Sequence, residues 1–278
     1  MQNVQSPLMD HMLHAVRQGC GILKEIYDSK VYTSESDHVF EKNSHHRLKD
    51  FLTSADIETE AFIKRILAEK FPGIGFFGEE TSCGNVQDFG DKPYFVLDPL
   101  DGTSNFVAAR DYFAISLGYV EEKSPVIGVI ANPVTGEIVA ARALHGAYRF
   151  YRDNNKGEQL LPIQQTALCH TQLDCELSLT SRKDTDVISL ITPHSTGMRK
   201  HGSSALDILH MACGRRSALI ANNQKPYDIA AGLVIASEVG LKISDWSGRN
   251  AGVETPDIVI ANPLAHAEII RLLGGIKT

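Results

Sequence analysis

The stretch Asp98-Pro99-Leu100-Asp101-Gly102-Thr103-Ser104-Asn105-Phe106, directly behind the apolar run Tyr94-Phe95-Val96-Leu97, constrains this chain more than any other. A short aromatic and β-branched run that ends in Asp-Pro reads as a buried strand delivering its last residues to a sheet edge. Two carboxylates arrive there together. Pro99 fixes φ and stiffens the turn, Gly102 lets backbone approach a ligand, and Thr103 or Ser104 is placed to cap a following helix. Paired carboxylates bind hard cations, and backbone N–H groups in such a turn bind anions. One turn of this composition can hold Mg²⁺ and phosphate at once.

Asp, Pro and Gly are also the commonest turn residues, so other acids must decide between chemistry and turn geometry. Gly75-Phe76-Phe77-Gly78-Glu79-Glu80-Thr81 again ends an apolar run in carboxylates, and Pro226-Tyr227-Asp228 places an Asp in the first turn of a helix. Three such acidic strand ends or helix starts exceed what turn chemistry explains. The formal net charge of −7 disfavours nucleic-acid binding, which needs a basic face. It is no obstacle to a phosphate substrate when metal ions supply local positive charge. The five cysteines are scattered without a Cys-x-x-Cys pair, as in a reduced chain. With no leader-like start and no apolar run of bilayer length, the expectation is a cytoplasmic protein without membrane contact.

Along the chain, Ser6-Pro7 opens a helix whose apolar positions run to Tyr27, and 28–49 reads as a polar loop or loose hairpin in which His45-His46 is solvated. A helix is expected from Asp56 to about Lys70. Strands are expected at 75–77 and 94–97, followed by a meander over 113–120, 126–130, 137–142 and 147–151. Asp153-Asn154-Asn155-Lys156-Gly157 is the expected boundary between an N-terminal metal-bearing α+β unit, 1–153, and a C-terminal α/β substrate unit, 154–278. The second unit should hold strands at 176–179, 218–221 and 258–261. Its helices should run from Asp184, over 203–213, 226–239 and 263–273. Alternating strands and helices make this an α/β, layered α+β chain.

In order, these motifs resemble the inositol monophosphatase family of Mg²⁺-dependent, lithium-sensitive phosphatases. Gly78-Glu79-Glu80, Asp98 to Phe106 and Tyr227-Asp228-Ile229-Ala230-Ala231-Gly232 carry the likeness, with Thr53-Ser54-Ala55-Asp56 and Gly202-Ser203-Ser204-Ala205. The resemblance implies that family's sugar-phosphatase fold of alternating helix and sheet layers, two or three Mg²⁺ ions, inhibition by Li⁺ and a homodimer. It implies that Glu79, Asp98 and the Leu100 carbonyl hold one ion, and that Asp98, Asp101 and Asp228 hold another. Asp56, Glu79 and Thr103 are then catalytic, orienting the attacking water. Asp101, Gly102, Thr103, Gly202, Ser203, Ser204, Ala221 and Asp228 line the substrate site. Lys49 stands where the family carries a Lys on a loop over the metals.

The chain departs from the inositol-cleaving pattern at three places. Ala221 stands where those enzymes carry a Glu that grips inositol hydroxyls, Tyr227 replaces a Trp, and Ala108 a His. The expected substrate is thus a small phosphorylated metabolite, inositol 1-phosphate being one candidate. The alternatives are a 3′-phosphoadenosine 5′-phosphate, fructose-bisphosphate or histidinol-phosphate phosphatase, or a non-catalytic regulatory protein on the same fold. No Gly-x-x-x-x-Gly-Lys-Ser/Thr loop or Gly-x-Ser-x-Gly turn supports an NTPase or a serine hydrolase.

Overall fold

Strands whose two faces are both apolar must be covered on both sides, and that requirement stacks this chain into layers. The structure, a computed structural model, describes residues 6–33, 40–42, 50–52, 54–82 and 84–275. The elements begin with α1 (Pro7–Thr33), β1 (Phe40–Lys42), β2 (Asp50–Leu52), α2 (Ser54–Lys70), β3 (Gly75–Gly78), β4 (Tyr94–Asp101) and α3 (Thr103–Val107). Next come β5 (Ala114–Glu121), β6 (Ser124–Ala131), β7 (Glu137–Arg142), β8 (Ala147–Tyr151) and β9 (Asn154–Gln159). The rest are β10 (Gln172–Glu176), α4 (Arg182–Ile191), β11 (Gly197–Arg199), α5 (Ser204–Ala212), β12 (Ala218–Ala221), α6 (Pro226–Glu238), β13 (Lys242–Asp245), β14 (Ile258–Ala261) and α7 (Pro263–Leu273).

β3 to β9 form one seven-stranded sheet in chain order, antiparallel except for the parallel β3–β4 pair. A five-stranded mixed sheet follows the order β11-β10-β12-β14-β13. Alternate side chains assign the layers. Phe95 and Leu97 of β4 pack with α1 and α2, while Tyr94 and Val96 face α5 and α6. Leu219 and Ala221 of β12 meet that same central helix pair, and Ala218 and Ile220 face α4 and α7. Helices and sheets therefore alternate in five layers, the fold type expected from the motifs. No helix among the described residues is long and apolar enough to cross a membrane.

The structure shifts some elements. The turn expected as a boundary is the tip of the β8–β9 hairpin and the start of β9, so the seven-stranded sheet continues to Gln159. The strand expected at 176–179 lies instead at Gln172–Glu176. Its Asp174 and Glu176 are buried and alternate with core Leu173 and Cys175, a polar face that conceals the strand pattern. β11 and β13, absent from the sequence reading, are short polar edge strands. His45, His46 and Lys49 lie outside the described residues, as do Thr53 and Cys83.

What sets the height of α6 is a pair of glycines. Gly118 and Gly128 lie opposite each other on β5 and β6. A Cβ on Gly128 would stand 2.2 Å from the Ala231 carbonyl oxygen, and one on Gly118 3.1 Å from the Ala230 Cβ. Without side chains there, the helix sinks onto the sheet and brings its first turn down to the ends of β3 and β4. Gly128→Ala should therefore lower stability by about 2 to 3 kcal/mol in urea unfolding. Gly118→Ala should cost less, because its closest contact is the Val96 side chain, 2.9 Å away, rather than backbone.

Candidate functional site

β3 and β4 run parallel, so their carboxyl ends lie side by side and Glu79 follows directly beside the end of β4, its N–H donating to the Leu97 carbonyl at 3.1 Å. Pro99 has no N–H to give the ladder, and the β4–β5 register breaks between Asp98 and Asp101. In the break the Leu100 N–H donates to Asp98 Oδ1 at 2.9 Å, and the Leu100 carbonyl accepts from the Thr103 hydroxyl at 3.0 Å. That hydroxyl is also 3.3 Å from Asp56 Oδ1. Asp228 sits in the first turn of α6 behind Pro226, its Oδ2 accepting from the Lys225 N–H at 2.7 Å.

Asp101 ties the seven-stranded sheet to the start of α5. Its Oδ2 accepts from the Ser203 hydroxyl at 2.8 Å and from the Ala205 N–H at 2.6 Å. Ser203 Oγ in turn caps α5 by accepting from Leu206 N–H. At Gly102 φ is +100°, and a Cβ would stand 2.9 Å from the Tyr112 carbonyl oxygen and 3.2 Å from that of Gly202, itself at φ +87°. Two left-handed glycines thus let the turns of the two sheets touch.

Electrostatically these four acids form one unit. Burial raises the Asp98 carboxyl well above the usual range, and Glu79, Asp101 and Asp228 push it further. Burial likewise raises Asp228, with Asp101 and Glu79 adding to it. Asp101 is pushed up to about 7 by burial, against the lowering effect of its bonds from Ala205 and Ser203. Tyr227, stacked on Phe77 at 6.3 Å, also feels Glu79, Asp228 and Asp98. A hard divalent cation fits this arrangement. Every side-chain donor is a carboxylate, and the strain is mutual repulsion that positive charge removes.

Other expected site residues fall differently. Gly202 is exposed, whereas Ser203 and Ser204 are buried. Ala221 is fully buried in the apolar layer between β12 and the central helices, so it presents no surface to a ligand. Glu176, its neighbour across the β10–β12 ladder, instead directs a carboxylate to the site turn, accepting from the His201 and Gly202 N–H groups at 2.8 and 2.7 Å.

Two positioning residues escaped the sequence reading. Glu60, one helical turn beyond Asp56 and like it wholly buried, accepts from the Glu80 and Thr81 N–H groups, both at 2.9 Å, and so holds the loop that carries Glu79. Its carboxylate fills the space beside Gly78 where a Cβ would sit. Two acids at i and i+4 in a core-facing stripe were the available signal. Asn105 donates from Nδ2 to the Tyr112 and His201 carbonyls, both at 2.8 Å, fastening α3 to the turn before Gly202.

A family model described as the inositol monophosphatase family matches residues 5–277. The inositol-1-monophosphatase of Bacillus subtilis is 31% identical over 226 residues, spanning 80% of this chain and 83% of that protein. The Nus factor SuhB of Xylella fastidiosa is 28% identical over 281 residues, covering 95% of this chain and 94% of its own length. The crystal structure of the extragenic suppressor protein suhB from Bartonella henselae superposes with a TM-score of 0.84 at 25% identity, over 98% of this chain and 100% of that one.

Replacing Asn105 by Ala strands two carbonyl groups at the meeting of the turns. The thermal midpoint should fall by an amount equivalent to about 1 to 3 kcal/mol. Hydrogen exchange should report the loosening first at the amides of His201 and Gly202.

Proposed function

The chain belongs to the inositol monophosphatase family, and we propose that it is a magnesium-dependent phosphomonoesterase acting on a small phosphorylated metabolite. The observation that carries this reading is the convergence of Glu79 after β3, Asp98 and Asp101 at the end of β4 and Asp228 at the start of α6 in one field of mutual repulsion. Glu79, Asp98 and the Leu100 carbonyl would hold one ion, and Asp98, Asp101 and Asp228 a second, with Asp98 shared. Bound there, Mg²⁺ supplies the charge that neutralises phosphoryl oxygens and lowers the pKa of a water.

The chain's own residues do the positioning. Glu79 and the Thr103 hydroxyl orient the attacking water, and the Leu100 carbonyl at 3.0 Å and Asp56 at 3.3 Å hold that hydroxyl in place. The Gly102 and Thr103 N–H groups meet the phosphate. Ser203 and Ala205 occupy Oδ2 of Asp101, so its other oxygen serves the cation. With Ala221 enclosed in the core, the inositol-gripping contact is missing, which supports a broad choice of small esters over strict inositol specificity.

The second reading, a regulatory protein that binds partners without turnover, draws on the likeness to a relative named as a Nus factor. Phosphate release with Mg²⁺ across inositol 1-phosphate, fructose 1,6-bisphosphate, 3′-phosphoadenosine 5′-phosphate and histidinol phosphate separates the two. Release from at least one ester is expected, and silence on all of them favours the regulatory reading. Asp98→Asn should lower kcat/KM by roughly 10³-fold, as loss of several kcal/mol of metal stabilisation implies. The metal-free thermal midpoint should hold or rise, since one of four repelling charges is gone. Near-normal turnover of this variant at saturating Mg²⁺ contradicts the assignment.

A further inference from the structure

One helical turn beyond Ser203, α5 presents a second group of polar side chains that the proposed phosphatase chemistry does not use. Asp207 of α5, Asp174 of β10 and His201 before the Gly202 turn bring one ligand atom each to within 4.8 Å of one another. His201 Nε2 is 3.4 Å from Asp174 Oδ1.

A close group of acids is not by itself a site. What distinguishes this one is unmet hydrogen bonding in a dry place. Asp174 and Asp207 are fully buried. Both oxygens of Asp174, Oδ2 of Asp207 and Nε2 of His201 are buried atoms with no hydrogen-bond partner. Native interiors seldom leave such atoms unsatisfied. Arg216 comes no nearer than an ion pair at 3.7 Å to Asp174 Oδ2, while its Nη1 donates to Gln172 at 3.4 Å. Arg199 lies near enough to act on Asp174, and Glu176 adds negative charge.

The surroundings orient the group as outer partners orient metal ligands. The Tyr112 hydroxyl donates to Asp207 Oδ1 at 2.5 Å, leaving Oδ2 for the cluster, and the Tyr112 ring stacks on His201 at 4.8 Å. A surface cleft of about 530 Å³ is lined in part by Tyr112 and His201, which puts the imidazole between solvent and the two buried acids.

We propose that Asp174, His201 and Asp207 form a second cation site, for a divalent transition ion of the manganese or zinc type. One imidazole among carboxylates suits such an ion better than Mg²⁺, which prefers oxygen alone. Occupied, the site pins His201 and with it the Gly202 turn that abuts Gly102 and whose N–H groups bind Glu176. It would therefore set the geometry of the substrate side from behind.

The test uses the full chain stripped with chelator and titrated with Mn²⁺ alone. The acids around Asp98 offer no nitrogen, so pulsed EPR of bound Mn²⁺ detects this site through imidazole ¹⁴N coupling. The coupling should appear in the wild type, persist in Asp98→Asn and vanish in His201→Gln, with Mn²⁺ affinity of that site falling about tenfold or more. His201 is only partly buried, so its replacement should fold, and Asp207→Asn gives a second variant expected to lose the coupling. Absence of ¹⁴N coupling in the wild type at saturating Mn²⁺, or its undiminished persistence in His201→Gln, overturns the proposal.

Discussion

Everything around this site answers to the repulsion among four carboxylates that the fold holds together where β3, β4 and α6 meet. Left to themselves, Glu79, Asp98, Asp101 and Asp228 would separate or take up protons, and burial raises the cost of keeping them charged. The chain restrains them with neutral donors and fixed backbone: Leu100 N–H on Asp98, Ser203 and Ala205 on Asp101, Lys225 N–H on Asp228. None of these donors removes the excess negative charge. The arrangement is therefore poised for a cation, which is the physical basis of the function proposed.

Holding the acids in place is a task shared by layers far apart in sequence. The glycine pair Gly118 and Gly128 lowers α6 until Asp228 reaches the end of β4. Asp101 then crosses to the α5 cap, so one carboxylate joins the end of β4 to the start of α5. Asn105 and Glu176 grip the same turn from opposite sides, through the carbonyl and the N–H of His201. The proposed second cation site would add a third hold on that residue. The turn bearing Gly202 is thus the mechanical link between the two sheets.

The acids brought together here were legible because each follows a local rule. Asp98 and Asp101 stand in a strand-ending Asp-Pro turn, Glu79 ends an apolar run, and Asp228 lies behind an N1 proline. The meander β5 to β8 and the helices with apolar stripes were legible for the same reason. β10 was not, because Asp174 and Glu176 break its apolar pattern and are buried by partners distant in sequence. The two edge strands carry too few apolar residues to announce themselves. The roles of Glu60, Asn105 and Glu176 were not legible, since what each does depends on which backbone groups fold against it.

The sequence by itself determined the layered α/β class, the four acids and the family, because local periodicity, turn chemistry and motif order are properties of short stretches of chain. Only the tertiary structure decided that Ala221 faces the core rather than a ligand and that Glu176 reaches the site turn in its place. It alone brought Asp174, His201 and Asp207 together. These outcomes turn on which face of a strand meets which layer, and that is fixed by packing between segments that share no local signal.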